Sequence, residues 1–272
     1  MLLTCTAAII TTSEAMRMAA ASLKSTAALV IMVGFLSAAS AAYVDSGWQP
    51  ASATWYGSPA GAGSDGGACG YGSLENTPYG FSISSGSPVL FQGGKGCGTC
   101  YQIKCVEESS LCSTNPVTVV ITDECPGCGG THFDMSGFAF SSMSRDPSLK
   151  QLLLNVGMMN VLYRRVQCAY PRINVAFQVD QGATNYWFAI LIKYIADDGD
   201  CSKVEFLQGA PNSRWLQMQQ LWGATWFVNG GPLVGPFSIR ITSAKGSTIV
   251  ADKVIPPNWS PGSLYTSHVN FA

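Results

Sequence analysis

Residues 117–123 of this chain read Val-Thr-Val-Val-Ile-Thr-Asp. β-Branched and apolar side chains at a two-residue period specify a strand with one face in a core. The strand runs into Asp123, a Cys-Pro-Gly-Cys turn follows, and His132-Phe133-Asp134 opens a return segment. A strand, a tight loop and a return place two carboxylates near each other at low entropic cost. Asp123, His132 and Asp134 are therefore expected at one site.

The rest of the text is poor in charge and rich in turns. Only 11% of the 272 residues are charged, while Gly numbers 29 and Pro 14. That composition points to an all-β protein of one or two domains. The formal net charge of −1 gives no electrostatic ground for a nucleic-acid partner. The glycine-rich stretch 61–72 lacks the lysine and the strand–helix context of a phosphate loop, so no nucleotide is expected.

Arg17 and Lys24 precede an apolar run over 27–36, and small residues fill 37–42. This is the pattern of a secretory signal, and the run is too short to span a bilayer as a helix. Residues 1–42 are read as the signal peptide; a start at Met16 or Met18 would give it ordinary length. One of the ten cysteines, Cys5, lies within it. Eight of the other nine precede residue 170, which reads as a disulfide framework confined to the first half. Cys201 is the expected orphan. Zinc at Cys97/Cys100 and Cys125/Cys128 is the competing reading, disfavoured by an oxidising compartment. No metal and no cofactor are expected.

In chain order, residues 43–53 read as irregular and 53–57 as a short strand. Strands are expected near 89–91, 101–105, 117–122 and 159–168, and 148–154 is the one helix candidate. Tyr170-Pro171 marks the boundary between a domain over 43–170 and another over 171–272. The second half carries about eight short apolar segments between turn signals, the last at 267–271. That spacing describes a β-sandwich.

Taken together, several motifs resemble the β-expansins, plant cell-wall loosening proteins related to the group-1 grass-pollen allergens. They are Thr54-Trp55-Tyr56-Gly57, Gly66-Gly67-Ala68-Cys69-Gly70, Gly96-Cys97-Gly98-Thr99-Cys100-Tyr101, His132-Phe133-Asp134-Met135-Ser136-Gly137 and Tyr163-Arg164-Arg165-Val166. In the second half they are Ile192-Lys193-Tyr194, Trp222-Gly223-Ala224, Gly235-Pro236-Phe237-Ser238-Ile239-Arg240 and Ile255-Pro256-Pro257-Asn258-Trp259. The resemblance implies an N-terminal six-stranded double-psi β-barrel, similar to that of family 45 endoglucanases, and a C-terminal immunoglobulin-like β-sandwich that binds carbohydrate. It implies the bridges Cys69–Cys97, Cys100–Cys168 and Cys105–Cys112. Cys125 and Cys128 either close a small loop beside the site or remain two thiols.

Inverting glycoside hydrolysis needs an acid and a base at opposite faces of the sugar. By resemblance Asp134 takes the position of the endoglucanase acid, while the base position falls on Gly57. An efficient hydrolase is therefore not expected. Thr54, Trp55, Tyr56, Asp65, Asp123, His132 and Asp134 are the candidate polysaccharide contacts of the first domain. For His132 the alternative is a core histidine that fixes the loop. In the second domain the family's surface aromatics match Tyr186 and Trp222, whereas Trp187 and Trp226 are expected in the core. A basic residue usual in the family is Phe227 here, and Tyr186 is followed by Trp187. Both departures add apolar surface and remove charge, leaving a preference for acidic or neutral polysaccharide open.

The leading expectation is a secreted, monomeric, non-hydrolytic cell-wall protein. It would bind cellulose and matrix polysaccharides such as xylans and disrupt their non-covalent adhesion. The alternatives are a weak endoglucanase or transglycosylase with Asp134 as acid, and a passive glycan-binding wall or defence protein.

Overall fold

A computed structural model describes residues 47–63, 65–106 and 110–272. The leader expected over 1–42 lies outside the described residues. Among the described residues, no helix is long and apolar enough to cross a membrane.

Six strands close a barrel in the order β1-β5-β2-β4-β3-β6. They are β1 (Gln49–Tyr56), β2 (Ile83–Gly86), β3 (Cys100–Cys105), β4 (Val117–Glu124), β5 (His132–Ser136) and β6 (Met159–Val166). β1 closes the ring by pairing parallel with β5 and antiparallel with β6. β2 lies between β5 and β4, parallel to the latter. Ala53, Ile103, Val119, Ile121, Phe133 and Met135 pack together in the interior. Closure leaves no unpaired strand edge to be covered.

Residues 176–266 form two facing sheets, ordered β10-β9-β13-β14 and β11-β12-β8-β7-β15. The strands are β7 (Ala176–Val179), β8 (Trp187–Lys193), β9 (Lys203–Gln208), β10 (Leu216–Gln217), β11 (Gln219–Trp222), β12 (Thr225–Asn229), β13 (Phe237–Thr242), β14 (Thr248–Ile255) and β15 (Leu264–Thr266). Phe177, Phe188, Ile190, Phe206, Phe237 and Trp226 meet between the sheets. On the outer face of the smaller sheet, Arg240 grips Glu205 with two hydrogen bonds of 2.6 and 2.7 Å. Trp215 lies over the guanidinium at 4.3 Å.

Several local expectations are corrected. Residues 49–53 are strand, not irregular, because β1 needs that length to reach both β5 and β6. Residues 89–91 belong to the short helix Pro88–Phe91, not to a strand. Pro88 at its first position is preset for helix and has no N–H to lose. A further short helix, Gly137–Ser141, starts where the Ser136 side chain accepts from Ala139 N. The last strand is Leu264–Thr266 rather than 267–271. There the Ser267 hydroxyl bonds the Val269 backbone and competes with a ladder. Strand β4 buries both faces after Val119, since Val120 packs under Cys69, Leu74 and Tyr79.

Four disulfides lie at Cys69–Cys97, Cys100–Cys168, Cys105–Cys112 and Cys125–Cys128. The second closes a separation of 68 residues, worth about 4 kcal/mol in the chain-entropy account. Cys201 is a free thiol.

Barrel and sandwich meet backbone to backbone. Cys168 and Asp197 exchange hydrogen bonds of 2.7 and 3.0 Å, and Ala224 N donates to Cys69 O at 3.1 Å. Gly98 and Gly199 face each other so closely that a Cβ on either would strike the other's carbonyl oxygen. Tyr79 stacks on Tyr71 at 4.6 Å and leans on Tyr194 of the sandwich side at 4.9 Å. Arg165 reaches from β6 to Asp200 Oδ2 at 2.7 Å and to the Asp198 carbonyl at 2.9 Å.

Two tests follow from these contacts. Gly199→Ala should cost more than about 2 kcal/mol in urea unfolding, through clash and a φ of +76°. Gly246→Ala, with φ +89° but open space around it, should cost only about 1 kcal/mol. The Arg240 hydrogen bonds hold Glu205 down to about 2 from its usual 4.5. The unfolded chain then takes up that proton first, so the stabilisation is complete above pH 4.5 and is lost as pH falls towards 2. Glu205→Gln should accordingly flatten the fall in melting temperature across that window.

Candidate functional site

The barrel register sets one row of polar groups across four strands. Ser85 on β2 is the partner of Asp123 on β4 and of Asp134 on β5. Asp134 is in turn the partner of Thr54 on β1. Partners in register share a face, so Asp123, Ser85, Asp134 and Thr54 stand side by side. The β2–β4 register slips between Ser84 and Ser85, leaving Thr122 as an extra residue. Such a bulge re-aims the side chain that follows it, here Asp123.

Tyr56 comes two residues after Thr54 and therefore shares its face. Its hydroxyl bonds Ser85 and feels the charges of Asp123 and Asp134. Burial is the main cause that pushes the phenol pKa up. The ring lies against Gly63, where any side chain would collide with it.

A hydrogen-bonded chain supports Asp134. The Thr54 hydroxyl donates to Asp134 Oδ1 at 2.6 Å. It also sits 2.8 Å from His132 Nε2, and Ser52 Oγ lies 2.7 Å from His132 Nδ1. Thr54 has a single proton and gives it to Asp134, so Nε2 must be the donor to Thr54 Oγ. Nδ1 of the neutral ring then accepts from Ser52. Burial pushes the His132 pKa below its usual value, against an opposing pull from Asp134, which favours that neutral form.

His132 is 7% exposed with both nitrogens engaged. Its ring is held between Ser52 and Thr54. Trp55 points away from the row, because neighbours in a strand face opposite ways. Its indole packs on the barrel core and donates to Leu154 O at 2.9 Å. Asp123 Oδ1 accepts from Ala68 N at 2.6 Å and Glu124 N at 2.8 Å, anchoring the glycine-rich loop. Asp65 is exposed on that loop and makes no hydrogen bond to a described residue. Ser52 and Ser85 are site residues that sequence reasoning missed. Ser52-Ala53-Thr54-Trp55-Tyr56 does carry the alternation that marks Ser52, had the strand been started earlier.

On the sandwich, Tyr186 is 65% and Trp222 49% exposed. Trp222 and Trp226 lie on adjacent strands of a hairpin, joined through Gly223, and Trp226 is in the core. Trp187, expected in the core, instead lies half-buried on the outer face and stacks on Phe227. The Trp222 ring approaches the barrel at Gly70, where a Cβ would come within 2.6 Å of it. The aromatic surface of the sandwich therefore begins at the loop that Asp123 anchors.

Comparison with known proteins bears on the fold and the family. A family model described as "Expansin C-terminal domain" matches residues 175–256, and one described as "Lytic transglycolase" matches 83–163. "Putative expansin-B2" of Arabidopsis thaliana is 50% identical over 232 residues, covering 84% of each chain. "Expansin-B16" of Oryza sativa subsp. japonica is 46% identical over 275 residues, covering 94% of this chain and all of the relative. Among solved structures, a mutant Clavibacter michiganensis expansin in complex with cellohexaose aligns with TM-score 0.65 at 20% identity, over 83% of this chain and 98% of that one. Its apo form aligns with TM-score 0.64. The shared fold is the double-psi barrel followed by the sandwich.

The hydrogen-bond chain has its own test. Nitrogen-15 NMR should find the His132 proton on Nε2. Thr54→Val, which strands the ring and the carboxylate, should cost about 1–3 kcal/mol of stability. A proton on Nδ1 would overturn the assignment.

Proposed function

The chain belongs to the β-expansin family, and from that premise we propose that it loosens plant cell walls without cutting them. In this reading it is secreted to the wall. It binds cellulose and matrix polysaccharides such as xylans along the barrel row and the sandwich aromatics. Contact with a displaced glucan chain releases non-covalent adhesion between polymers, which requires only differential affinity for the displaced state.

The observation that carries this reading is the placement of the carboxylates. Asp123 and Asp134 flank Ser85 in one cross-strand row, so both approach a bound sugar from the same wall. Inversion needs them on opposite faces. One oxygen of Asp123 is already held by two backbone N–H groups. Gly57, at the base position implied by the family, has φ +75°, and a Cβ there would meet the Gly63 backbone at 2.5 Å. No carboxylate fits that place without rebuilding the turn.

One feature favours the enzymatic alternative. Two strand spacings put the α-carbons of Asp123 and Asp134 roughly 9–10 Å apart, within side-chain reach of the roughly 6.5–9.5 Å between carboxyl groups that inverting glycosidases use. The two readings part in a single experiment. Purified protein should make clamped, heat-inactivated wall strips extend under load while releasing no new reducing ends from cellulose or xylan. Asp134→Asn should slow extension roughly tenfold, as expected on losing a charge-assisted hydrogen bond. Steady oligosaccharide release that disappears in Asp134→Asn would establish a hydrolase instead.

A further inference from the structure

The four disulfides do not share one environment. Cys69, Cys97, Cys100 and Cys168 lie in one apolar cluster, and Cys105 and Cys112 in another. None of those six is more than 8% exposed. Cys125 and Cys128 belong to no such cluster and are only half-buried. Pro126, Gly127, Gly129 and Gly130 around them are exposed. A Cβ added at any of those three glycines would meet nothing within 4 Å. A thiol in solution thus has an open approach to this bridge, whereas the other three are reached only by opening a core.

The bridge also fastens a loop that little else holds. It closes a separation of 3 residues, against 7, 28 and 68 for the others. It therefore adds the least loop-closure entropy to the folded state. Among the described residues, the one backbone hydrogen bond within 125–131 runs from Cys128 N to Cys125 O at 3.1 Å. The loop's ends are tied to the barrel. Cys125 N donates to Gly86 O at 2.8 Å, and Ser52 N donates to Thr131 O at 3.1 Å. Opening the bridge frees 126–130 and leaves the strands that carry Asp123 and Asp134 in register.

We propose that Cys125–Cys128 is a thiol-exchange site, opened by a low-molecular-weight thiol while the three buried bridges stay closed. Exposed disulfides are the labile ones, and buried structural bridges resist reduction. The incoming thiolate attacks one sulfur, a bond forms between them, and the Cys125–Cys128 bond breaks. The other cysteine leaves as a thiolate. It can reclose the ring by expelling the first thiol, since both sulfurs stay in one turn. A second thiolate attacking the mixed disulfide instead releases the small-molecule disulfide. Two thiols have then given two electrons and two protons to the bridge. Among the described residues no helix begins at this turn, and the charged neighbours of Cys125 in sequence are Asp123 and Glu124. The turn thus lacks the helix N-terminus and adjoining cation that activate cysteines as nucleophiles. The site receives small thiols and does not catalyse exchange between other partners.

The full chain, incubated under native conditions with cysteamine, quenched with iodoacetamide and mapped by peptide mass, tests this. Cys125 and Cys128 should become labelled about tenfold or more faster than the six buried cysteines. Nitrogen-15 relaxation of the selectively reduced protein should show order parameters falling at Gly127, Gly129 and Gly130, with those of β4 and β5 unchanged. Cys125→Ser/Cys128→Ser, which removes the bridge of shortest span, should lose the fast labelling phase altogether. Another bridge opening first, or all four opening together, overturns the proposal. So does a fast phase that survives in the double variant. The wild-type labelling order decides the matter without any variant having to fold.

Discussion

Parallel pairing of β1 with β5 is the constraint on which the site depends. It puts Thr54 opposite Asp134 and Ser52 opposite His132. A slip of one residue would exchange Thr54 for Trp55 and turn the whole polar set into the barrel interior. The register is held from the other face. Ala53 is fully buried, and Trp55 is tied to the Leu154 carbonyl on the helix Lys150–Val156. The apolar side of β1 thus fixes where its polar side points. The hydrogen bonds from Ser52 through His132 to Asp134 are a consequence of that packing more than a cause of it.

The second constraint is the close approach of backbones between barrel and sandwich. Gly98 against Gly199, and Gly223 against Ala68 and Cys69, leave no room for side chains at the seam. Such contacts join the polar row to the aromatic shelf at one spacing. The ion pair between Arg165 and Asp200 is weaker ground for stability, because burial raises the Asp200 pKa even with the guanidinium beside it. Its geometry matters more than its energy. Arg165 also holds the Asp198 carbonyl, and so fixes the turn that presents Gly199 to Gly98.

Much of this was legible in the sequence, for reasons that differ by residue. Asp123 and Asp134 announce themselves because each ends or interrupts a strongly apolar strand. Ser85 did not, because Ser82-Ile83-Ser84-Ser85-Gly86-Ser87 has the composition of a loop. It becomes strand through pairing with β4 on one side and β5 on the other, contacts no local pattern encodes. Trp187 was placed in the core because it adjoins the apolar run of β8. Parity along that strand puts Phe188, Ile190 and Ile192 inward and leaves Trp187 outward. The separation of Trp222 from Trp226 likewise hid a hairpin. Gly223, at φ +48°, makes the turn, and its lack of a Cβ lets that turn sit on the barrel.

A row of polar groups that already bond one another behaves differently from one that must organise on binding. Thr54, His132 and Ser52 are engaged before any ligand arrives, and Asp123 is pinned by two backbone amides. Little side-chain entropy remains to be lost there, so affinity depends on how well the ligand matches a fixed arrangement. Trp222 adds to that arrangement from the sandwich, and the glycine seam prevents the two parts from adjusting separately. In the proposed function, a long polymer touching both would itself have to bend or twist to fit. Whatever conformation satisfies that spacing is favoured over the packed one by the difference in binding free energy, and by no more than that. A protein that binds in this way shifts polymer conformations in proportion to its rigidity, whereas a hydrolase would also need a second carboxylate free to move a proton on the far side of the chain.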